Sequence, residues 1–435
     1  MIGFISAAFL ALASLADAAP QGKLSVLSTG GPVKPNSYII ALKSEDVFDK
    51  HMDWINAQVK KYNNSKVTSQ FNAADQGFIA YSVVLDPADH AISMDDGSIM
   101  TASNGSPISI LDAVLSRSDI KFIEEDGIMR ITGTQNDAPW GLQRISGSQP
   151  LPPGSDPNSP AYTYTFNETA GQGVDVYVID TGINTEHESF EGRAKFAFAA
   201  EGQQQEDDQG HGTHCAGTIG SRDFGVAKAA NLIAVLGADG SGSISGIISG
   251  VEFAMQTAAS SGRPSVISMS LGGAVSEALD QAATAAVGRG IHVVVAAGND
   301  GADTDGSSPA RAPAVFTVGA TSIDDQVASF SNIGQAIDIF APGDKVLSTF
   351  IGSTTATKVL SGTSMACPHV SGMVAAILSQ EGNMTPAQMA ERLKSLGQAD
   401  ALSNVPAGTI NLVAQLGSGS QPQRPDNGTV CYPRP

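Results

Sequence analysis

Val174-Asp175-Val176-Tyr177-Val178-Ile179-Asp180-Thr181-Gly182 is a run of β-branched and aromatic residues that stops at an acid followed by glycine. Such a run, apolar at successive positions from Val176 to Ile179, reads as a buried strand of a parallel sheet. Asp180 then stands at the carboxyl end of that strand, the edge where open α/β sheets place their ligands and their chemistry. Asp-Thr-Gly is also the signature of aspartic proteases, which need a second Asp-Ser/Thr-Gly, and the chain has only this one.

Three further stretches share the small, glycine-punctuated character of an α/β protein. His211-Gly212-Thr213-His214-Cys215-Ala216-Gly217 surrounds two histidines with small residues and predicts a helix packed tightly in a core. Ile291-His292-Val293-Val294-Val295-Ala296-Ala297-Gly298-Asn299 is an apolar strand that ends in glycine and an amide. Gly362-Thr363-Ser364-Met365-Ala366-Cys367-Pro368 follows a polar run and opens an apolar segment that reaches Leu378. It places the Ser364 hydroxyl on the turn before a buried helix, where free backbone amides and the positive helix end can hold a developing oxyanion. Pro368 is expected in the first helical turn, where no intrahelical donor is lost. Asp180, His211 and Ser364 together supply an orienting acid, a general base and a nucleophile. Asn299 supplies a side-chain NH2 for the oxyanion, beside the Ser364 backbone N–H. Ser364 does not lie in Gly-x-Ser-x-Gly, which argues against an α/β-hydrolase. Neither Cys215 nor Cys367 stands in a nucleophile position.

The chain has 435 residues, enough for one large domain and a smaller one, and its 47 glycines suit many tight turns. A net charge of −19 argues against nucleic acid or an anionic membrane as partner. No run reaches the roughly 18–20 apolar residues that span a bilayer. Phe4 to Ala16 is a short apolar core, and Ala16-Asp17-Ala18 suits a small-residue cleavage rule, so residues 1–18 read as a secretory signal. Secretion to the extracellular space makes Asn63, Asn104, Asn167, Asn383 and Asn427 candidates for glycosylation.

Between Asn36 and Arg130 lies a second unit. Strands are predicted at Ser37 to Leu42, Gly77 to Val84 and Ile120 to Glu124, with helices around Phe48 to Val59 and Ile108 to Leu115. Asp86 to Pro107 is a polar insertion expected to be a mobile loop. After Leu416, Gly417-Ser418-Gly419-Ser420 opens a proline-rich tail, 417–435, without apolar periodicity, which is expected to be disordered.

From Ala138-Pro139-Trp140-Gly141-Leu142 to about Asn411, the chain resembles secreted subtilases of the proteinase K type. The motifs around Asp180, His211, Ser270-Leu271-Gly272-Gly273, Asn299 and Ser364 carry the resemblance as a set, in the order Asp, His, Ser of that family. It implies a mostly parallel sheet flanked by helices over 133–416, behind a small α+β ferredoxin-like propeptide over 19–132. It also implies a serine endopeptidase made as a zymogen, with its propeptide as chaperone and inhibitor and proteins and peptides as substrates. Release of the propeptide is expected between about Arg130 and Thr134, and the enzyme is expected to work as a monomer. Catalysis would rest on Asp180, His211, Ser364 and Asn299, leaving His214 structural.

The same resemblance implies that Gly240, Ser241 and Gly242 face Ser270, Leu271 and Gly272 across an extended peptide substrate, held by main-chain hydrogen bonds. Ala296, Ala297 and Gly298 would leave the primary side-chain pocket open and apolar, with no charge in that motif, so apolar or aromatic residues are expected before the cut. A structural Ca2+ is expected on Pro313, Val315 and Asp338; a second site of the family is not carried over because Ala401 stands at its acidic position. The family's disulfide positions are Asp175 and Phe316 here, so the three cysteines, Cys215, Cys367 and Cys431, do not form those bridges. Cys215 and Cys367 are expected to be small buried hydrophobes, Cys215 beneath His211.

Overall fold

The computed structural model describes residues 24–28, 33–73, 77–87, 108–127, 132–200, 204–236 and 242–416. The signal segment, the 88–107 part of the polar insertion, Asn104, Arg130, Gly240, Ser241, Asn427, Cys431 and the 417–435 tail lie outside the described residues.

The chain divides at Met129/Arg130 into two units. The first holds one five-stranded sheet in the order Val26–Leu27, Ile120–Gly127, Val33–Leu42, Phe78–Val84, Lys66–Ala73. Its helices are Phe48–Val59 and Ile110–Leu115, so the four longer strands and two helices follow a βαββαβ ferredoxin-like order. Ile40, Ile55, Tyr81, Val83, Val114 and Ile123 form the core. Buried His51 ties this core together through the Tyr81 hydroxyl at 2.8 Å and Asp119 at 3.0 Å. Lys66–Ala73 has no counterpart among the expected strands. It is a largely exposed edge strand of mixed polar residues, and an edge with little to bury leaves almost no periodic signal.

In the second unit a nine-stranded sheet runs Gln398–Ala399, Leu412–Val413, Ile339–Pro342, Phe316–Thr321, His292–Ala296, Ser265–Met269, Asp175–Asp180, Asn231–Leu236, Ala194–Ala199. Every pairing is parallel except the first, at Gln398–Ala399. All six residues of Asp175–Asp180 are buried. Val176 and Val178 pack into one hydrophobic cluster, Tyr177 and Ile179 into the other, as alternation across a strand requires. The first cluster is covered by the helices His211–Gly220 and Thr363–Glu381, the second by Ile244–Ser261 and Glu277–Gly288. Helices on both faces of a mostly parallel sheet are the expected architecture. The chain runs outward from Asp175–Asp180 to one sheet edge, then returns past it to Ser265–Met269, so the carboxyl ends of the central strands border a crevice at the switch of direction.

Candidate active site

That crevice is a cleft of about 990 Å³, lined by Asp180, His211, Ser270, Gly298, Asn299 and Ser364 among others. Asp180 ends its strand buried, and its carboxylate oxygen Oδ1 accepts from His211 Nδ1 at 2.7 Å. The histidine helix can come this close because Gly212 has no side chain: a Cβ there would stand 2.2 Å from the Gly182 carbonyl oxygen. Burial alone would push the His211 imidazole toward neutrality. The charge and hydrogen bond of Asp180, aided by Cys215, outweigh it and hold the pKa well above the ordinary 6.5.

His214, one turn on, faces the other way. Its Nε2 donates to the carbonyls of Val346 at 3.0 Å and Lys358 at 3.1 Å, and burial pushes it down to about 3. It is a neutral structural residue.

A residue that sequence reasoning missed holds the approach to the site together. Asp207 accepts from Thr181 Oγ1 and Gly210 N, each at 2.8 Å, and from Thr213 N at 3.0 Å. Thr181 Oγ1 in turn accepts from Gly212 N at 2.8 Å. The strand end that carries Asp180 and the helix start that carries His211 are thereby laced to one carboxylate. An acid four residues before His211 was the only available signal, and acids in loops are too common to single out.

Ser364 lies in the helix Thr363–Glu381, and Pro368 lies inside that helix rather than in its first turn. Pro368 has no N–H for the Ser364 carbonyl four residues back. That carbonyl is met instead by Ser270 Oγ at 2.9 Å and by the Cys215 thiol at 3.3 Å. The freed backbone acceptor thus tethers the serine to the Ser265–Met269 strand end and to the histidine helix. Ser364 Oγ donates to the Ser270 carbonyl at 3.1 Å rather than to His211. A hydroxyl rotates readily between partners, and hydrogen bonds of this type often form only around a bound substrate.

Cys215 is fully buried, its sulfur 3.9 Å from His211 Nδ1, and burial holds its pKa up. Cys367 is fully buried too, pushed up to about 12 by burial. Both thiols are free.

Asn299 Oδ1 accepts from Thr363 N at 2.8 Å and Thr363 Oγ1 at 2.9 Å. This fixes the amide so that its NH2 is available to the cleft. Gly298 before it has φ +106°, and a Cβ there would sit 2.3 Å from Asn332 Nδ2, so only glycine is accommodated.

Of the expected substrate segments, Gly242, Ser270, Leu271, Gly272, Ala296 and Gly298 line the cleft. Ala297 does not. It is fully buried in a cluster with Ile337, Phe340, Leu402 and Val413, because adjacent positions at a strand end face opposite sides. Asp300 and Asp303, outside the Ala296–Gly298 motif, also line the cleft.

Of the expected calcium ligands, Asp338 has partners within the chain. Asp338 Oδ2 accepts from Thr317 N at 2.8 Å, and Oδ1 pairs with Lys394 Nζ at 2.8 Å. A carboxylate paired with an ammonium is not the free anionic ligand that a Ca2+ cage needs, so Asp338 as placed does not offer one. Asn63 and Asn383 are exposed, and Asn167 is half-buried with its Oδ1 accepting from Thr169 N at 2.9 Å. Among the described residues no helix is long and apolar enough to cross a membrane.

Comparison with known proteins follows the same lines as this geometry. Residues 171–407 match the sequence model of the subtilase family, peptidase S8. The chain is 40% identical over 423 residues to the subtilisin-like serine protease Cur l 4.0101 of Cochliobolus lunatus, covering 90% of this chain and 82% of that one. It is 46% identical over 305 residues to the cuticle-degrading protease of Metarhizium anisopliae, covering 69% and 76%. A crystal structure of a cold adapted subtilisin-like serine proteinase superposes with a TM-score of 0.58 and 41% identity, over 64% of this chain and 98% of that one. The chain belongs to the subtilase family and is a serine endopeptidase of the proteinase K type.

Proposed function

We propose that this endopeptidase is secreted as a zymogen and cuts proteins with broad specificity through Asp180, His211, Ser364 and Asn299. The observation that carries this reading is the 2.7 Å contact of His211 Nδ1 with Asp180 in the cleft that also exposes Ser364 and Asn299. With Nδ1–H donated to Asp180, the lone pair of Nε2 is left to take the proton of Ser364 Oγ as that oxygen attacks the scissile carbonyl carbon. The carbonyl oxygen becomes an anion and is met by the Ser364 backbone N–H and the Asn299 NH2. Protonated His211 then gives its proton to the departing amine, and water, deprotonated by His211, releases the acyl group.

The substrate backbone lies extended against Ser270, Leu271 and Gly272 on one side and Gly242 on the other. Main-chain pairing is indifferent to side-chain identity, which supports broad specificity. Ala296 and Gly298 favour apolar and aromatic side chains in the pocket before the cut. The first unit is its propeptide, a chaperone and inhibitor released by self-cleavage between about Arg130 and Thr134.

A fluorophosphonate probe should label the secreted protein at Ser364 and leave Ser364→Ala unlabelled. Removing one oxygen changes little volume, so Ser364→Ala should fold and accumulate as the longer, uncut form. Normal processing of that variant in a host lacking other proteases would remove self-cleavage.

A further inference from the structure

Building on the proposed oxyanion role of Asn299, on which it rests, we propose that Asn332 is a positioning residue for the reaction. Its side chain fixes the backbone on both sides of Asn299, and so the place at which the Asn299 NH2 meets the substrate carbonyl oxygen. Asn299 follows the strand His292–Ala296 and opens a segment, Asn299 to Asp303, in which every residue is exposed. Apolar packing does little for such a segment, so hydrogen bonds have to hold it. Thr363 fixes the far end of the Asn299 side chain through Oδ1. The Cα end is set by the backbone.

Asn332, 1% exposed, accepts through Oδ1 from Asp300 N at 3.0 Å and Ala302 N at 3.1 Å, and its Nδ2 donates to the Ala297 carbonyl at 3.0 Å. Its own backbone N donates to the Gly298 carbonyl at 2.9 Å. The residues gripped thus lie both before and after Asn299 in the chain. The Asn332 amide fills the space that a Gly298 side chain would need. Asn332 is in turn tied to the sheet: Ser331 Oγ accepts from Ala320 N at 3.0 Å and donates to the Asn332 carbonyl at 2.9 Å. Ala320 belongs to the strand Phe316–Thr321, every residue of which is buried. The position of the oxyanion donor is therefore referred to a rigid central strand through one buried amide.

Loss of the amide would leave the buried Ala297 carbonyl without its side-chain donor and free the N–H groups of Asp300 and Ala302. The segment would then relax, and the Asn299 NH2 with it. Removing an oxyanion donor outright costs about 10²–10³-fold in kcat, and a misplacement of about 1 Å can cost about 10²-fold. The oxyanion exists only as the carbonyl is attacked, so the loss should fall on kcat and spare KM. Among the described residues the side-chain hydrogen bonds of Asn332 all go to the 297–302 segment, so its influence on the chemistry should pass through Asn299.

The test uses the secreted product of the full chain, counted by fluorophosphonate labelling taken to completion, and one peptide with an apolar residue before the cut. Asn332→Ala should lower kcat about 10- to 100-fold and leave KM within about twofold. In the Asn299→Ala background the same substitution should cost less than about threefold, because the donor it positions is gone. A residue that served stability alone would cost the same factor in both backgrounds. Should Asn332→Ala not accumulate as folded protein, Asn332→Ser, which keeps one polar atom, goes through the same cycle, with a loss of about fivefold that again vanishes in Asn299→Ala. An equal loss in both backgrounds, or a loss carried by KM, overturns the proposal. A large loss from Asn299→Ala with none from Asn332 substitution overturns it while leaving the oxyanion reading intact. No loss from Asn299→Ala overturns that reading and this proposal together.

Discussion

His211 shows how a single residue is set by competing forces. Burial is the largest influence on it and favours the neutral ring, yet the adjacent Asp180 carboxylate and the Cys215 sulfur reverse the outcome. In the proposed mechanism the ring must be neutral to accept the serine proton. A pKa raised in the folded enzyme therefore keeps His211 protonated, and the enzyme slow, up to a higher pH than an ordinary histidine would. The kcat/KM profile should rise through a limb centred above 6.5 and reach a plateau on its alkaline side. Asp180→Asn should move that limb to lower pH and reduce kcat about 10⁴-fold, since the imidazole loses both its counter-charge and its tautomer partner. An acid limb at or below the ordinary histidine value in the unmodified enzyme would show that Asp180 does not govern the ring.

At the scale of elements, the strands Phe316–Thr321 and Ile339–Pro342 are joined at their start by a carboxylate and an ammonium. Asp338 caps Thr317 N, and Lys394, from the helix Pro386–Leu396, closes the charge. Lys394 is thus the cation paired with Asp338 in this structure. Its pairing is partly exposed, so its removal should lower stability by only about 0.5–1 kcal/mol. Thermal inactivation should be unchanged by a chelator in the unmodified enzyme. Lys394→Met should inactivate faster and should regain lifetime on addition of Ca2+, because the carboxylate is then free. A marked loss of lifetime in chelator, with Lys394 intact and metal measured in the protein, would show that the ion and not the ammonium holds these strands.

At the scale of the whole catalytic unit, Arg144 connects distant parts of the sequence. It is fully buried in the helix Trp140–Ser146, donates to Asp325 at 2.7 Å and to Gln398 at 3.1 Å, and so ties the beginning of the unit to its last third. Arg144→Met leaves Asp325 buried without a counter-charge and should destabilise the unit by about 3–5 kcal/mol. Arg144→Met/Asp325→Leu should recover most of that loss. Denaturant midpoints measured in the Ser364→Ala background, which removes self-digestion, distinguish the two. Equal midpoints for single and double variants would mean that packing of the Arg144 stem, and not the pair, is what matters.

What could be read without coordinates was whatever depends on neighbours in the chain. Runs rich in β-branched residues such as Val174–Ile179 identify buried strands, and small residues around His211 identify a close-packed helix, because these patterns follow from local geometry. The four residues Asp180, His211, Asn299 and Ser364 stood out because each sits where a strand or helix meets a turn, a place with a motif of its own. The tertiary structure alone decided the rest. Asp207, Asn332 and Lys394 act through partners fixed by folding, and an acid, amide or lysine in a loop or on a helix has no local mark of the partner it will meet. Pro368 gave no hint that the carbonyl it frees would be met by Ser270 and Cys215. Ala297, one residue from the cleft-lining Ala296 and Gly298, faces the core because strand alternation is settled by which side the sheet buries. Short-range physics is written along the chain, whereas hydrogen bonds and charges across the cleft exist only once the chain has closed around it.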